Sequence, residues 1–270
     1  MRLVCMPWYD LPETRAAHDA LWARMAAELR RGGLAGVPDA IDWTVPYTAQ
    51  WDRDDLLFGQ ACGYDVLLSA ADVLQPIATP RYRIDGCVGH QYRSLVVVAD
   101  SSAAGSIADL RGSRCVINTP SSHSGTNVLR ALVAPLHAGG RFFSSVTISG
   151  AHERSLALIR AGHADVAAVD CVTYGLIRRH RPAELCGTRV MCETAAVPAP
   201  PYVTSRATGP DEVALLRRAV AVALADPALA GVRDQLAIAG ADVLPVDAYA
   251  AIDELRRAAD EAGYFEIAPA

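Results

Sequence analysis

The chain has 270 residues, 51% of them apolar, and a formal net charge of -5, enough to bury the core of one large domain or two ordinary ones. An acidic chain carries no basic patch to neutralise a duplex, which excludes nucleic acid as partner; an all-arginine set of 25 basic residues likewise excludes Schiff-base chemistry and a P-loop lysine. The seven scattered cysteines hold no C-x-x-C pair, so no structural zinc, other metal or cofactor is expected.

In chain order, Arg2–Met6 reads as a core strand. No secretory signal precedes it and no apolar run reaches about 18 residues, so the chain as written is expected to be cytosolic, with no membrane insertion. Trp8–Pro12 turns into a helix with Ala17, Leu21, Met25, Ala26 and Leu29 on one face, ended by Gly32-Gly33. A short strand is predicted at 41–45, then an aromatic and acidic loop over 47–55. Leu56–Phe58 leads into the turn Gly59–Asp65, followed by the apolar Val66–Leu68.

Strands are predicted at 78–84 and 94–98, the second rich in β-branched residues and so buried on both faces. Alternation resumes with a short helix to Leu110 and strands at 114–118, 145–148, 166–169 and 189–193. Helices are predicted after Gly125, over 152–161 and 171–180, and near the end over 211–224 and 246–262. Such alternation implies parallel sheets covered by helices, with ligands beyond the carboxyl ends of the strands. The glycine-rich run 86–93 and the proline-rich run 198–201 read as two crossings between lobes.

Asn118–Asn127 concentrates the chemistry. There a strand ends and a helix begins among Ser121, Ser122, His123, Ser124 and Thr126, with Gly125 allowing close approach to the backbone. The first N–H groups of a helix have no internal acceptor, so the pattern reads as an oxyanion cradle. Ser122 or Ser124 reads equally as an N-cap.

Five segments taken together resemble the phosphate/phosphite/phosphonate-binding proteins of ABC importers: Leu57–Tyr64, Tyr92–Val97, Ser122-His123-Ser124-Gly125, Gly150–Glu153 and Ala164–Asp170. The resemblance implies the α/β type II periplasmic binding protein fold. Two lobes, 1–94 with 203–270 and 95–202, each a mainly parallel sheet flanked by helices, would close on a small anionic ligand in a cleft. It also implies an ABC-transporter permease as partner, a monomer, no catalytic residue, and a periplasmic location if the start is truncated. Ser122, Ser124 and Gly125 match the family's Ser-Thr-Ser-Gly helix start, His123 replaces its threonine, and Tyr92 and His152 match its cleft residues. Tyr9, Tyr64, Asp170 and Thr173 complete the candidate ligand-binding set. Thr173 and Pro200 stand where the family places acids for an aminophosphonate, which argues against an aminoalkyl ligand.

A monoanion that keeps a proton needs an acceptor, and Asp170, Glu153 and Asp10 are the candidates. Asp170 reads equally as a helix cap and Glu153 as a first-turn surface residue. Two alternatives stand beside transport. One is a cytosolic enzyme of the same fold acting on a small organic anion, like those of the menaquinone and thiamin pathways. The other is a serine hydrolase using Ser124 with a histidine, which lacks a G-x-S-x-G elbow.

Overall fold

The elements run in chain order as β1 (Leu3–Val4), α1 (Pro12–Arg31), β2 (Leu56–Gln60), β3 (Leu74–Tyr82), β4 (Gln91–Tyr92), β5 (Ser94–Ala99), β6 (Arg114–Ile117), α2 (Val128–Val133), β7 (Ser145–Ile148), α3 (His152–Arg160), β8 (Val166–Asp170), α4 (Cys171–His180), β9 (Thr188–Glu193), β10 (Val197–Pro198), β11 (Tyr202–Ser205), α5 (Pro210–Ala225), α6 (Ala230–Gln235), β12 (Ile238–Asp242) and α7 (Ala250–Glu261). The computed structural model describes residues 2–50 and 53–267, so Trp51 and Asp52 of the expected aromatic and acidic loop lie outside the described residues.

The chain divides into two units. Residues 2–83, 88–91 and 198–249 form the first, and 84–87, 92–197 and 250–267 the second. The chain changes unit after residues 83, 87, 91 and 197. A further change falls between Tyr249 and Ala250, so the C-terminal helix belongs to the second unit and not with residues 203–249 as expected.

In the first unit the strand order is β1-β2-β11-β3-β12. β1 and β2 are parallel, whereas β11 runs antiparallel to both β2 and β3, and β12 antiparallel to β3. Direct re-entry from the second crossing explains the reversed β11, since no helix precedes it to return the chain to the parallel sense. α1 starts at Pro12, which suits a first-turn position, and carries Arg30 and Arg31 in its last turn, where cations oppose the dipole. Its buried face, including Ala17, Leu21, Met25 and Leu29, is the predicted stripe.

Two local expectations fail in this unit. No strand forms at 41–45, because the Asp42 carboxylate accepts from the backbone N–H and hydroxyl of Thr44 and closes a turn. β2 continues through Gly59 to Gln60 instead of turning there. A Cβ at Gly59 would stand 2.6 Å from Gln50 Oε1, so glycine here serves close approach and not a bend. The apolar run after it forms a single helical turn, Asp65–Ser69.

The second unit's sheet has the order β7-β6-β8-β5-β9. β6 is parallel to β7 and β8, and β5, which enters from the first crossing, is antiparallel to β8 and β9. β5 is buried between its neighbours, as its β-branched run demands. Val96, Val98, Ile117, Leu129, Val133, Phe142 and Val166 form the core with Ala259, Tyr264 and Ile267 from the C-terminal segment. Arg130 of α2, itself buried, ties that segment down. It pairs with Asp260 at 2.8 Å and donates to the carbonyls of Phe265 and Arg256. The predicted helix over 246–262 is a 3-10 turn at 246–249 followed by α7.

Candidate functional site

The cradle lies wholly in the second unit. β6 ends at Ile117, the chain turns, and Ser122 takes an extended conformation (φ -72, ψ 130) that starts the helical run. Its hydroxyl accepts from the Gly125 N–H at 3.0 Å, the N-cap bond expected of a serine there. The first turn, His123–Asn127, is wide, and the Asn127 N–H reaches back to the Ser122 carbonyl before α2 takes over. Thr126 secures the turn by donating its hydroxyl hydrogen to the Thr119 carbonyl at 2.6 Å.

Ser124 Oγ stands 2.9 Å from His152 Nε2, at the first position of α3, and 3.5 Å from Ser122 Oγ. A Cβ on Gly125 would fall 1.9 Å from Asn118 Oδ1 and 3.2 Å from His152 Cε1, so the backbone tolerates only glycine between those two side chains. Asn118 Oδ1 is buried without a partner among the described residues. Asn118 was not among the expected site residues; its signal in the sequence is an amide at the end of the strand that opens onto the cradle.

Every hydrogen bond described in this cluster joins neutral groups, and the imidazoles agree. Burial lowers His152 to about 4, the Ala168 backbone opposing that shift without a bond of good geometry, and burial lowers His123 to about 3. Neutral donors and acceptors in a dry site are well suited to an anion, since each is stronger there than in water. His152 Nδ1 is buried without a hydrogen bond of good geometry among the described residues, with the Ala168 backbone acting on the ring.

Of the remaining expected residues, His123 is buried beside Tyr92, ring centroids 6.4 Å apart. Its Nδ1 meets the Asn127 amide at 3.1 Å, and that amide also donates to the Ile252 carbonyl of α7. Asp170 ends β8 and caps α4, its Oδ1 accepting from the N–H groups of Val172 and Thr173 at 2.6 and 3.1 Å. Glu153 lies 3.7 Å from Arg181 Nη1. Asp10, Tyr9 and Tyr64 belong to the first unit. There Asp10 is bound by both nitrogens of an Arg15 fork, at 2.6 and 2.7 Å, and Tyr9 (φ 54) sets its ring edge-on to Tyr82. The structure therefore joins Ser122, Ser124, Gly125 and His152 directly, with Tyr92 and His123 beside them. It assigns the three expected proton acceptors to other partners.

Two sheets that each take in a reversed strand from a crossing, with a hydroxyl-rich helix start after β6, define a type II periplasmic binding protein. Within that class, the family model of periplasmic substrate-binding proteins of phosphonate ABC transporters matches residues 6–248, and the chain belongs to that family. Solved structures agree on the fold. A binding protein component of an ABC phosphonate transporter from Pseudomonas aeruginosa superposes with a TM-score of 0.77 at 14% identity, covering 97% of this chain and 88% of its own. PhnD1 from Prochlorococcus marinus, solved with methylphosphonate, gives 0.70 at 15%, covering 96% and 98%. XAC2383 from Xanthomonas citri, bound to chloride, gives 0.71 at 16%, covering 97% and 98%. No curated protein sequence matches the chain. No helix among the described residues is long and apolar enough to cross a membrane.

Proposed function

We propose that the chain captures a singly protonated phosphorus oxyanion without an amino group, a phosphonate or phosphite before phosphate, and delivers it to an ABC-importer permease in the periplasm, without catalysis. The observation that carries this reading is the Ser124–His152 contact. In the neutral tautomer that keeps its hydrogen on Nδ1, favoured by the Ala168 backbone, Nε2 takes the Ser124 hydroxyl hydrogen and leaves the serine oxygen as an acceptor, while the Ser122 hydroxyl, already accepting from Gly125, keeps its hydrogen to donate. Donor and acceptor side by side suit an oxyanion that still carries a proton. Sulfate, which carries none, would set its own oxygen against the Ser124 lone pairs.

This replaces the carboxylate acceptor expected from the sequence, because Asp170 is engaged as a cap and Glu153 and Asp10 face arginines. An amino substituent finds no acid at Thr173 or Pro200. The test is isothermal calorimetry with methylphosphonate, phosphite, phosphate, sulfate, 2-aminoethylphosphonate and adipate. Tight binding of the first two, with sulfate and the aminophosphonate weaker by about tenfold or more, supports the reading, one missing hydrogen bond to a charged group being enough for that ratio. Binding of adipate alone transfers the protein to the organic-anion alternative.

A further inference from the structure

The sulfurs of Cys87 and Cys171 lie 3.5 Å apart although 84 residues separate them in the chain. Both belong to the second unit. Cys171 is buried at the first position of α4, and Cys87 is half-buried at the end of the short segment Ile84–Cys87. That segment is held against α4 on three sides. Gly86 adopts φ +94, open to glycine, and a Cβ there would stand 3.0 Å from the Cys171 Cβ. Asp85 pairs with Arg178 at 2.7 Å, and Ile84 fills the space above Gly175, where a Cβ would come within 2.5 Å of Ile84 Cγ2. A cavity of about 200 Å³, lined among others by Ile84, Asp85, Cys171, Tyr174 and Glu193, reaches the buried thiol from one side.

We propose that Cys87 and Cys171 form a modification site, a dithiol converted reversibly to a disulfide by exchange with an external disulfide. The more accessible Cys87 attacks first, as thiolate. Its sulfur bonds to one sulfur of the external disulfide, whose S–S bond breaks and releases one thiolate that takes up a proton. Cys171 then gives its proton to solvent and attacks the Cys87 sulfur, expelling the second external thiol. The protein dithiol is oxidised by two electrons and one external disulfide is reduced to two thiols. Bond formation shortens the 3.5 Å contact to about 2.05 Å between two sulfurs already facing each other, on a segment seated on α4. Hydrogen bonding to the Cys87 thiol, with burial, raises the Cys171 pKa; the burial remains in the mixed disulfide, where the thiol partner is gone, and makes the second attack the slower one. The bond would clamp the first crossing to the helix that Asp170 caps.

The full chain carrying Cys186→Ser, so that the exposed thiol does not compete, is incubated with oxidised glutathione, alkylated under denaturing conditions and digested. The proposal expects a peptide pair joined through Cys87 and Cys171 and the loss of two alkylatable thiols. It also expects a Tm higher by roughly 5 °C, reversed by dithiothreitol, as closing a long loop in the unfolded chain requires. Cys87→Ser, at a half-exposed position that leaves the core intact, should abolish all three. Glutathione found singly on Cys87 with no joined peptides, or Cys87 joined to a different cysteine, overturns the proposal.

Discussion

Ser124 Oγ and His152 Nε2 stand 2.9 Å apart, so the start of the helical run after β6 is fastened to the start of α3 by one hydrogen bond between neutral groups. Removing the hydroxyl leaves Nε2 without its partner and deletes one ligand contact. Ser124→Ala should weaken methylphosphonate binding by about tenfold or more while lowering stability by about 1 kcal/mol. Titration calorimetry and urea unfolding of the same variant separate the two effects. Unchanged affinity would reduce Ser124 to a structural role.

Three buried imidazoles make stability pH-dependent. Burial holds His18 and His152 at about 4 and His123 at about 3. A histidine whose pKa is lowered by folding binds its proton in the unfolded chain first. Its contribution is therefore complete above about pH 6.5 and is lost as the pH falls toward the folded value. At about pH 5 the loss is of order 2 kcal/mol for each ring. Urea midpoints at about pH 7.5 and about pH 5 measure the total, and His18→Phe, which keeps the edge-on contact with Trp43, should remove about a third of the slope.

Gly125 is where a methyl group cannot fit. Gly125→Ala sets a carbon 1.9 Å from Asn118 Oδ1, and the amide must leave its buried position. We expect a destabilisation of about 1–3 kcal/mol together with a lost ligand site. Adding Asn118→Ala should restore part of the stability, and a double-mutant cycle by thermal melts would read that coupling directly. Strict additivity would mean that the two residues do not meet.

Asp170 is predicted to act through its oxygen and not its charge. Asp170→Asn keeps an acceptor for the N–H groups of Val172 and Thr173 and should leave affinity within about twofold, whereas Asp170→Ala should cost about 1 kcal/mol of stability. A large loss of affinity in a stably folded Asp170→Asn protein would return the carboxylate to the ligand.

Periodicity made the framework readable. The buried stripe of α1 and the β-branched run of β5 each have one low-energy way to be covered, and both formed as expected. The helix start after β6 was readable for a different reason, since a serine at its entrance caps the first N–H groups, as Ser122 does for Gly125. What escaped were features decided by neighbours distant in sequence. Pairing between existing strands, more than local preference, creates β11 and β12, and Gly59 looks like a turn until Gln50 is placed against it. Asp170 read from the sequence as either a ligand acceptor or a helix cap, and the structure shows the cap; the Arg181 beside Glu153 and the Arg15 fork on Asp10 were not read from the sequence.

The last helix contributes more than bulk to the second unit. The Ile252 carbonyl holds the Asn127 amide, which in turn meets His123, while Arg130 grips the same stretch from α2. Cutting the chain after Tyr249 would thus strip a fastening from beneath the serines, although no hydrogen bond joins the described residues of the tail to them. A shortened protein is expected to lose the order of that helix start, and with it the methylphosphonate affinity proposed above, from a scission far away along the chain.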